Sequence, residues 1–95
     1  MIRKTVHYTG HVQGVGFRYT ATTIASRHRV AGYVQNLPDG SVRLIAEGDK
    51  ADVDAFLDEV ASAMRGHIEQ TQVDEGEATA EFGRPADDDA FVVKY

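Results

Sequence analysis

The chain lacks cysteine, has no long apolar run and carries fewer basic than acidic side chains. Without cysteine it has no disulfide, no thiolate nucleophile and no Cys-based metal site, which fits a reducing compartment. No apolar run approaches the ~20 residues that a helix needs to cross a bilayer, and the first residues, Met-Ile-Arg-Lys-Thr-Val-His, lack the apolar segment of a secretion signal. We therefore expect a cytoplasmic protein with no membrane partner.

The charge balance limits the partners further. Lys and Arg number 10 against 15 Asp and Glu, which gives a formal net charge of −5. An acidic surface repels polyphosphates, so no nucleic-acid partner is expected, and any anion site must depend on local positive potential. The length of 95 residues predicts a single domain, 1–95, with one modest core.

The stretch Gly-His-Val-Gln-Gly-Val-Gly-Phe-Arg at 10–18 lies between a strand-like and a helix-like run. Glycine adopts positive φ at little cost, so successive backbone N–H groups can point to one place, and a helix start adds unpaired N–H groups and partial positive charge. Arg18 supplies a full charge and a planar guanidinium that matches two phosphate oxygens. The pattern favours an oxyanion site, above all for phosphate, but a glycine-rich turn that only reverses the chain fits it equally well.

Hydrophobic periodicity predicts the order strand, helix, strand, strand, helix, strand and a short terminal strand. Pro-Asp-Gly at 38–40 predicts a hairpin turn, and Asp49 is expected to cap the second helix with its carboxylate. This order is that of the ferredoxin-like sandwich, an α+β fold (βαββαβ plus the terminal strand) with an antiparallel sheet and two helices on one face. The predicted bounds are 2–10, 17–28, 30–35, 42–47, the helix between Asp49 and Gly66, an edge strand at 68–78, and 91–95.

Two stretches together resemble the signatures of the acylphosphatase family: residues 10–18, quoted above, and Gly-Tyr-Val-Gln-Asn-Leu-Pro-Asp-Gly-Ser-Val at 32–42. Glu47-Gly48 and the closing Phe-Val-Val-Lys-Tyr at 91–95 are similar as well, so the resemblance covers nearly the whole chain. It implies a free-standing, monomeric enzyme without cofactor or metal. The enzyme would hydrolyse the mixed anhydride of a small acyl phosphate to a carboxylate and inorganic phosphate, which would also bind as a competitive ligand.

The resemblance also implies roles for individual residues. Arg18 matches the family's phosphate-binding arginine, and Asn36 matches the asparagine that positions the attacking water. An acyl phosphate has a good leaving group, so positioning and charge stabilisation can replace a strong base or a covalent nucleophile. The phosphate cradle is matched by the backbone N–H groups of Gln13, Gly14, Val15, Gly16, Phe17 and Arg18.

Other functions stay open at this point. The main alternative is a ferredoxin-like module that holds a phosphate or a metabolite without turnover; the presence of both Arg18 and Asn36 favours the enzyme. A nucleic-acid-binding sandwich is disfavoured by the net charge of −5. No metal role is expected for His7 and His11, which lack a nearby carboxylate cluster, or for the aspartates at 87–89, which read as a hydrated loop. Phe17 and Tyr19 are expected to pack in the core and at the rim.

Overall fold

The structure is a computed structural model that describes residues 1–85, 87 and 89–95. The expectation for the aspartate run at 87–89 therefore lies partly outside the described residues. The elements are, in chain order, β1 (Ile2–Gly10), α1 (Phe17–Ala25), β2 (Ala31–Asn36), β3 (Val42–Gly48), α2 (Lys50–Ala63), β4 (Ile68–Glu77) and β5 (Phe91–Lys94).

The strands form one sheet in the order β4-β1-β3-β2-β5. β1 runs antiparallel to β3 and β4, and β2 runs antiparallel to β3, which confirms the ferredoxin-like arrangement and the edge position of β4. β5 pairs with β2 in parallel, with Gly32 opposite Phe91, so the sheet is mixed at this edge; the sequence predicted the strand but not its place in the sheet. The chain leaves β4 at one edge of the sheet and enters β5 at the other edge. Phe82 marks its path, with its ring centre 5.7 Å from that of Tyr33.

Both helices cover one face of the sheet. α1 packs on β2 and β5, and α2 packs on β1 and β3. The alternation predicted for β1 is observed, since Val6 and Tyr8 are buried in the same core as Phe56 and Val60 of α2. Lys4 interrupts this face, and its Nζ lies 2.5 Å from Oδ1 of Asp54 on α2. The charge of Lys4 is therefore paired with a carboxylate of the helix that covers this face.

The helix ends differ from the prediction. α1 ends at Ala25 rather than at residue 28, because the N–H groups of Arg27 and His28 bond three residues back, to Ile24 and Ala25, in a tighter turn. Asp49 occupies the N-cap position of α2, but its carboxylate makes no capping hydrogen bond, so that expectation is wrong, and nothing in the structure explains it. Within residues 1–85, 87 and 89–95, neither helix is long and apolar enough to cross a membrane.

Glu47 holds the end of β3 to the segment that follows β4. Its side chain is only 2% exposed and accepts hydrogen bonds from Nε of Arg3 at 2.7 Å and from the N–H groups of Thr79 and Ala80 at 2.9 and 3.0 Å. Burial raises the pKa of the Glu47 carboxyl, but the hydrogen bonds from Thr79, Arg3 and Ala80 together outweigh it and hold that pKa below its usual value. The carboxylate is therefore charged and stabilising at neutral pH.

Replacing Glu47 with glutamine is expected to lower the free energy of unfolding at neutral pH by about 2–4 kcal/mol, because a buried acceptor of several charge-assisted bonds is lost. Since the pKa of Glu47 is lower in the folded state, its stabilisation is fully present above the unfolded pKa and disappears as the pH falls through the folded pKa. Urea unfolding over a pH series should show the difference between wild type and Glu47→Gln shrinking in acid. Glu77→Gln, at an exposed glutamate on β4, is the control. A difference that stays constant with pH would refute the role of the charge.

Candidate active site

Three strands finish, and one helix begins, at the same edge of the fold. β1 finishes at Gly10 and continues through a loop to the start of α1, while β2 finishes at Asn36 and β5, parallel to it, runs to Lys94. Between these ends lies an open pocket of about 340 Å³. Its lining consists of Val12, Gly14, Gly16, Phe17, Arg18, Tyr19, Thr22, Asn36, Val93 and Tyr95.

The loop before α1 has the backbone conformation that the glycines predicted. Gly14 and Gly16 both adopt left-handed φ values, 76° and 80°, and a Cβ built on either would meet no atom within 4 Å, because both face open space at the pocket. Gly16 is also the N-cap of α1, and no side chain caps this helix. In the described part of the chain, no protein group accepts a hydrogen bond from the N–H groups of residues 13–18. These N–H groups are therefore available to an anion.

Arg18 provides the positive charge of the pocket. Its side chain is half-buried, and its Cζ lies 5.2 Å from the ring centre of Tyr95, a cation–π contact that orients the guanidinium. Among the described residues, no Asp or Glu oxygen lies within ion-pair distance of Arg18. No acidic side chain lines the pocket either. The site is thus locally positive on a chain whose net charge is −5.

Asn36 brings an unsatisfied acceptor to the same pocket. It is the last residue of β2 and pairs with Val42 across the hairpin. Its Oδ1 is buried and has no hydrogen-bond partner among the residues that the structure describes. A buried polar atom without a partner is costly, so it marks a place where a ligand or a water completes the bond. An amide oxygen accepts a hydrogen bond from such a water.

The other side chains of the predicted loop, and that of Tyr19 beside it, each have their own packing or hydrogen-bond partners or lie at the rim. The ring of Phe17 is buried 4.9 Å from that of Tyr8, which confirms its core role, and Tyr19 is exposed at the rim, as expected. The side chain of Val15 packs against the core, and that of Gln13 bonds to the β2–β3 turn. The structure thus brings Gly14, Gly16, Phe17, Arg18 and Asn36 together around the pocket, while Gln13 and Val15 belong to the loop but do not line it.

Sequence reasoning missed the contribution of β5 to the site. Val93 and Tyr95 line the pocket, and Thr22 does so from the second turn of α1. The closing segment at 91–95 carried part of the family resemblance, but its pairing partner was not readable from the sequence. Because β5 runs parallel to β2, its end lies beside Asn36 rather than at the opposite end of the sheet.

The histidines near the site have other partners. Nε2 of His7 lies 2.7 Å from Oγ of Ser41, and the ring centre of His11 lies 6.1 Å from that of His67. In residues 1–85, 87 and 89–95, no three His, Asp or Glu side chains are grouped so that they could hold a metal ion. The lining of the pocket offers backbone N–H groups, one guanidinium and one carboxamide, besides the hydroxyls of Tyr19, Thr22 and Tyr95.

Comparison with known proteins links this geometry to one family. The acylphosphatase family model matches residues 4–90. An acylphosphatase of Paenarthrobacter aurescens is 43% identical over 82 residues, which cover 85% of this chain and 87% of the relative. The crystal structure of the acylphosphatase from Bacillus subtilis aligns with a TM-score of 0.85 at 29% identity and covers 100% of both chains. HypF from T. kodakarensis aligns with a TM-score of 0.77 at 29% identity, over 100% of this chain but only 12% of HypF.

Proposed function

This chain belongs to the acylphosphatase family and is an acylphosphatase, and from that premise we propose how its pocket works. The backbone N–H groups of residues 13–18 and the guanidinium of Arg18 hold the phosphoryl group, while Asn36 positions the attacking water. The proposal rests on one observation: an arginine without a carboxylate partner and an amide oxygen without a hydrogen-bond partner meet in one pocket, among the residues that the structure describes.

The first step is binding of the phosphoryl group. Its nonbridging oxygens accept hydrogen bonds from the free N–H groups around Gly14 and Gly16, and Arg18 binds two of them through its planar guanidinium. In the transition state, charge is spread over the three nonbridging oxygens while the bond to the leaving carboxylate lengthens, and these fixed donors stabilise that charge without having to reorganise. The cradle therefore contributes to the transition state as well as to affinity.

The second step is attack by water. Oδ1 of Asn36 accepts a hydrogen bond from one water proton, so that a lone pair of the water points at phosphorus, in line with the leaving carboxylate. The new P–O bond forms as the bond to the carboxylate oxygen breaks, and both water protons remain with the products, a carboxylate and dihydrogen phosphate. Asn36 removes no proton, and none needs to be removed early, because the carboxylate is a good leaving group.

Hydrolysis of benzoyl phosphate tests this function against its alternative. The enzyme should release benzoate and inorganic phosphate in equal amounts, at the same rate with and without a chelator, since the proposed chemistry uses only protein groups. The alternative is a module that binds phosphate without turnover. The HypF alignment favours it to some extent, because there the same fold spans a small part of a larger protein. Phosphate binding without turnover would identify a binding module. A variant with both Arg18→Ala and Asn36→Ala, purified in parallel, corrects for contaminating phosphatases.

The open rim of the pocket predicts broad specificity for the acyl group. Tyr19 is 77% exposed and Tyr95 is 93% exposed, so neither encloses the acyl part. We expect kcat/KM values for acetyl, propionyl and benzoyl phosphate to lie within about tenfold of one another. In a closed pocket a single methylene already changes kcat/KM by about tenfold, and an open rim should discriminate less. Steady-state kinetics on the three substrates checks this. A spread of several hundredfold would show that the acyl group is recognised.

We also propose that residues 1–95 form a single catalytic domain that acts as a monomer. A single chain supplies the loop glycines, Arg18 and Asn36 to the pocket, and these are the groups that the proposed mechanism uses. Activity that elutes from a sizing column at the mass of one chain supports the proposal, and activity confined to a larger species contradicts it.

A further inference from the structure

Gln13 connects the phosphate-binding loop to the turn that follows Asn36. Its Nε2 donates one hydrogen bond to the carbonyl oxygen of Leu37 at 2.7 Å and another to that of Ser41 at 2.8 Å. The N–H of Leu37 also donates to the Ser41 carbonyl, at 2.8 Å. A single carboxamide from the loop therefore binds both sides of the turn at residues 37–41.

This connection reaches the residue that follows Asn36 in the chain. Oδ1 of Asn36 has no hydrogen-bond partner in the described residues, so its position depends on the backbone that holds it. On the N-terminal side that backbone is fixed by the sheet, in which Asn36 pairs with Val42, the last pair between β2 and β3. Leu37, the next residue, lies outside the strand, and its carbonyl oxygen accepts hydrogen bonds from Nε2 of Gln13 at 2.7 Å and from the N–H of Gly40 within the turn at 3.1 Å.

We infer that Gln13 is a positioning residue, which sets the place of Asn36, and thus of the attacking water, relative to the bound phosphoryl group. The inference rests on the proposed roles of the cradle and of Asn36. The carboxamide of Gln13 does not line the pocket, and both of its N–H donors are used by the turn. Its side chain therefore acts through Asn36 and not by donating to the substrate.

The turn has a second set of contacts, on the side away from Gln13. Oδ1 of Asp39 accepts hydrogen bonds from the N–H of Ser41 at 2.9 Å and from its hydroxyl, and Nε2 of His7 lies 2.7 Å from that hydroxyl. These bonds do not involve Gln13. Without its carboxamide, the turn should therefore keep its fold but lose its fixed distance from the cradle.

A mutant cycle with Asn36 tests the inference. Gln13→Met keeps the length of the side chain and removes both donors. We expect it to lower kcat for benzoyl phosphate about 10- to 100-fold, the effect of an error in position of about 1 Å, while the inhibition constant of inorganic phosphate changes less than about threefold. In the Asn36→Ala background, Gln13→Met should change kcat by less than about threefold, because the residue through which it acts is gone. Gln72→Met, at an exposed glutamine of β4, is the matched control and should leave kcat unchanged.

Each result has a definite meaning. An equal loss from Gln13→Met in both backgrounds would overturn the inference, and so would a loss of phosphate affinity as large as the loss of kcat, since the side chain would then act on the cradle. If Asn36→Ala itself kept full turnover, the proposed function would fail instead. If Gln13→Met unfolds at assay temperature, Gln13→Asn replaces it in the same cycle. Its amide falls one methylene short of the two carbonyls, and full kcat in this variant would also overturn the inference.

Discussion

Replacing Arg18 with alanine is expected to lower kcat/KM for benzoyl phosphate by about 10³-fold or more. The variant loses the only positive side chain among the described residues that line the pocket, together with the two hydrogen bonds that Arg18 is proposed to donate to the phosphoryl oxygens. Inhibition by inorganic phosphate should weaken as well, because these bonds form in the ground state. Steady-state kinetics and phosphate inhibition constants, measured on the same preparations, give both quantities.

Two further variants separate the geometry of Arg18 from its charge. Arg18→Lys keeps the charge but not the planar pair of donors, so its activity should lie between those of wild type and Arg18→Ala. Arg43→Ala removes the same charge from an exposed position on β3 and should leave kcat/KM nearly unchanged. An equal loss in Arg43→Ala would assign the effect to the overall field of the protein. Unchanged phosphate affinity in Arg18→Ala would show that the arginine does not hold the phosphoryl group.

Replacing Asn36 with alanine is expected to lower kcat by about 10²- to 10³-fold, because the water loses its orientation. The inhibition constant of inorganic phosphate should change less than about threefold, since the cradle is intact and Asn36 donates nothing to the phosphoryl group in this mechanism. The variant should be at least as stable as wild type to urea, because it removes a buried oxygen that has no partner in the described structure. The separation of kcat from phosphate affinity is the result that distinguishes Asn36 from Arg18.

The control for Asn36 is its neighbour on the same strand. Gln35 also carries a carboxamide, but its side chain points to the opposite face of the sheet, and its strand partner is Arg43. Gln35→Ala should keep kcat within about twofold of wild type. A parallel loss of turnover and phosphate affinity in Asn36→Ala would mean that this residue is part of the cradle and not the group that positions the water.

Besides the ferredoxin-like arrangement, which follows from the order of the elements, the features that were predicted from the sequence are those decided locally. The left-handed conformations of Gly14 and Gly16 and the helix start beside Arg18 follow from residues within one turn of each other, so the loop could be predicted from nine residues. The hydrophobic face of α2 is a local periodicity as well. By contrast, the early end of α1 depends on tight-turn hydrogen bonds that compete with the helix, and the helical pattern does not show them.

The features that could not be predicted are the placement of the last strand and the contacts that depend on it or on coordinates. The parallel position of β5 depends on which edge the chain reaches after β4, and for that reason Val93 and Tyr95 were not assigned to the pocket. Asn36 stands before Leu-Pro-Asp-Gly, so local statistics favour a turn residue, and only the family resemblance gave it a catalytic role. Its partnerless oxygen and the bonds from Gln13 to the following turn require coordinates.

The most direct test of the site is a titration with inorganic phosphate followed by the backbone amide resonances of the ¹⁵N-labelled protein. The amides of residues 13–18 should show the largest shifts and a common Kd; Asn36→Ala should keep this Kd, and Arg18→Ala should raise it strongly. If residues 13–18 do not respond while amides elsewhere on the sheet do, the phosphoryl group binds at another place and the proposed mechanism is wrong.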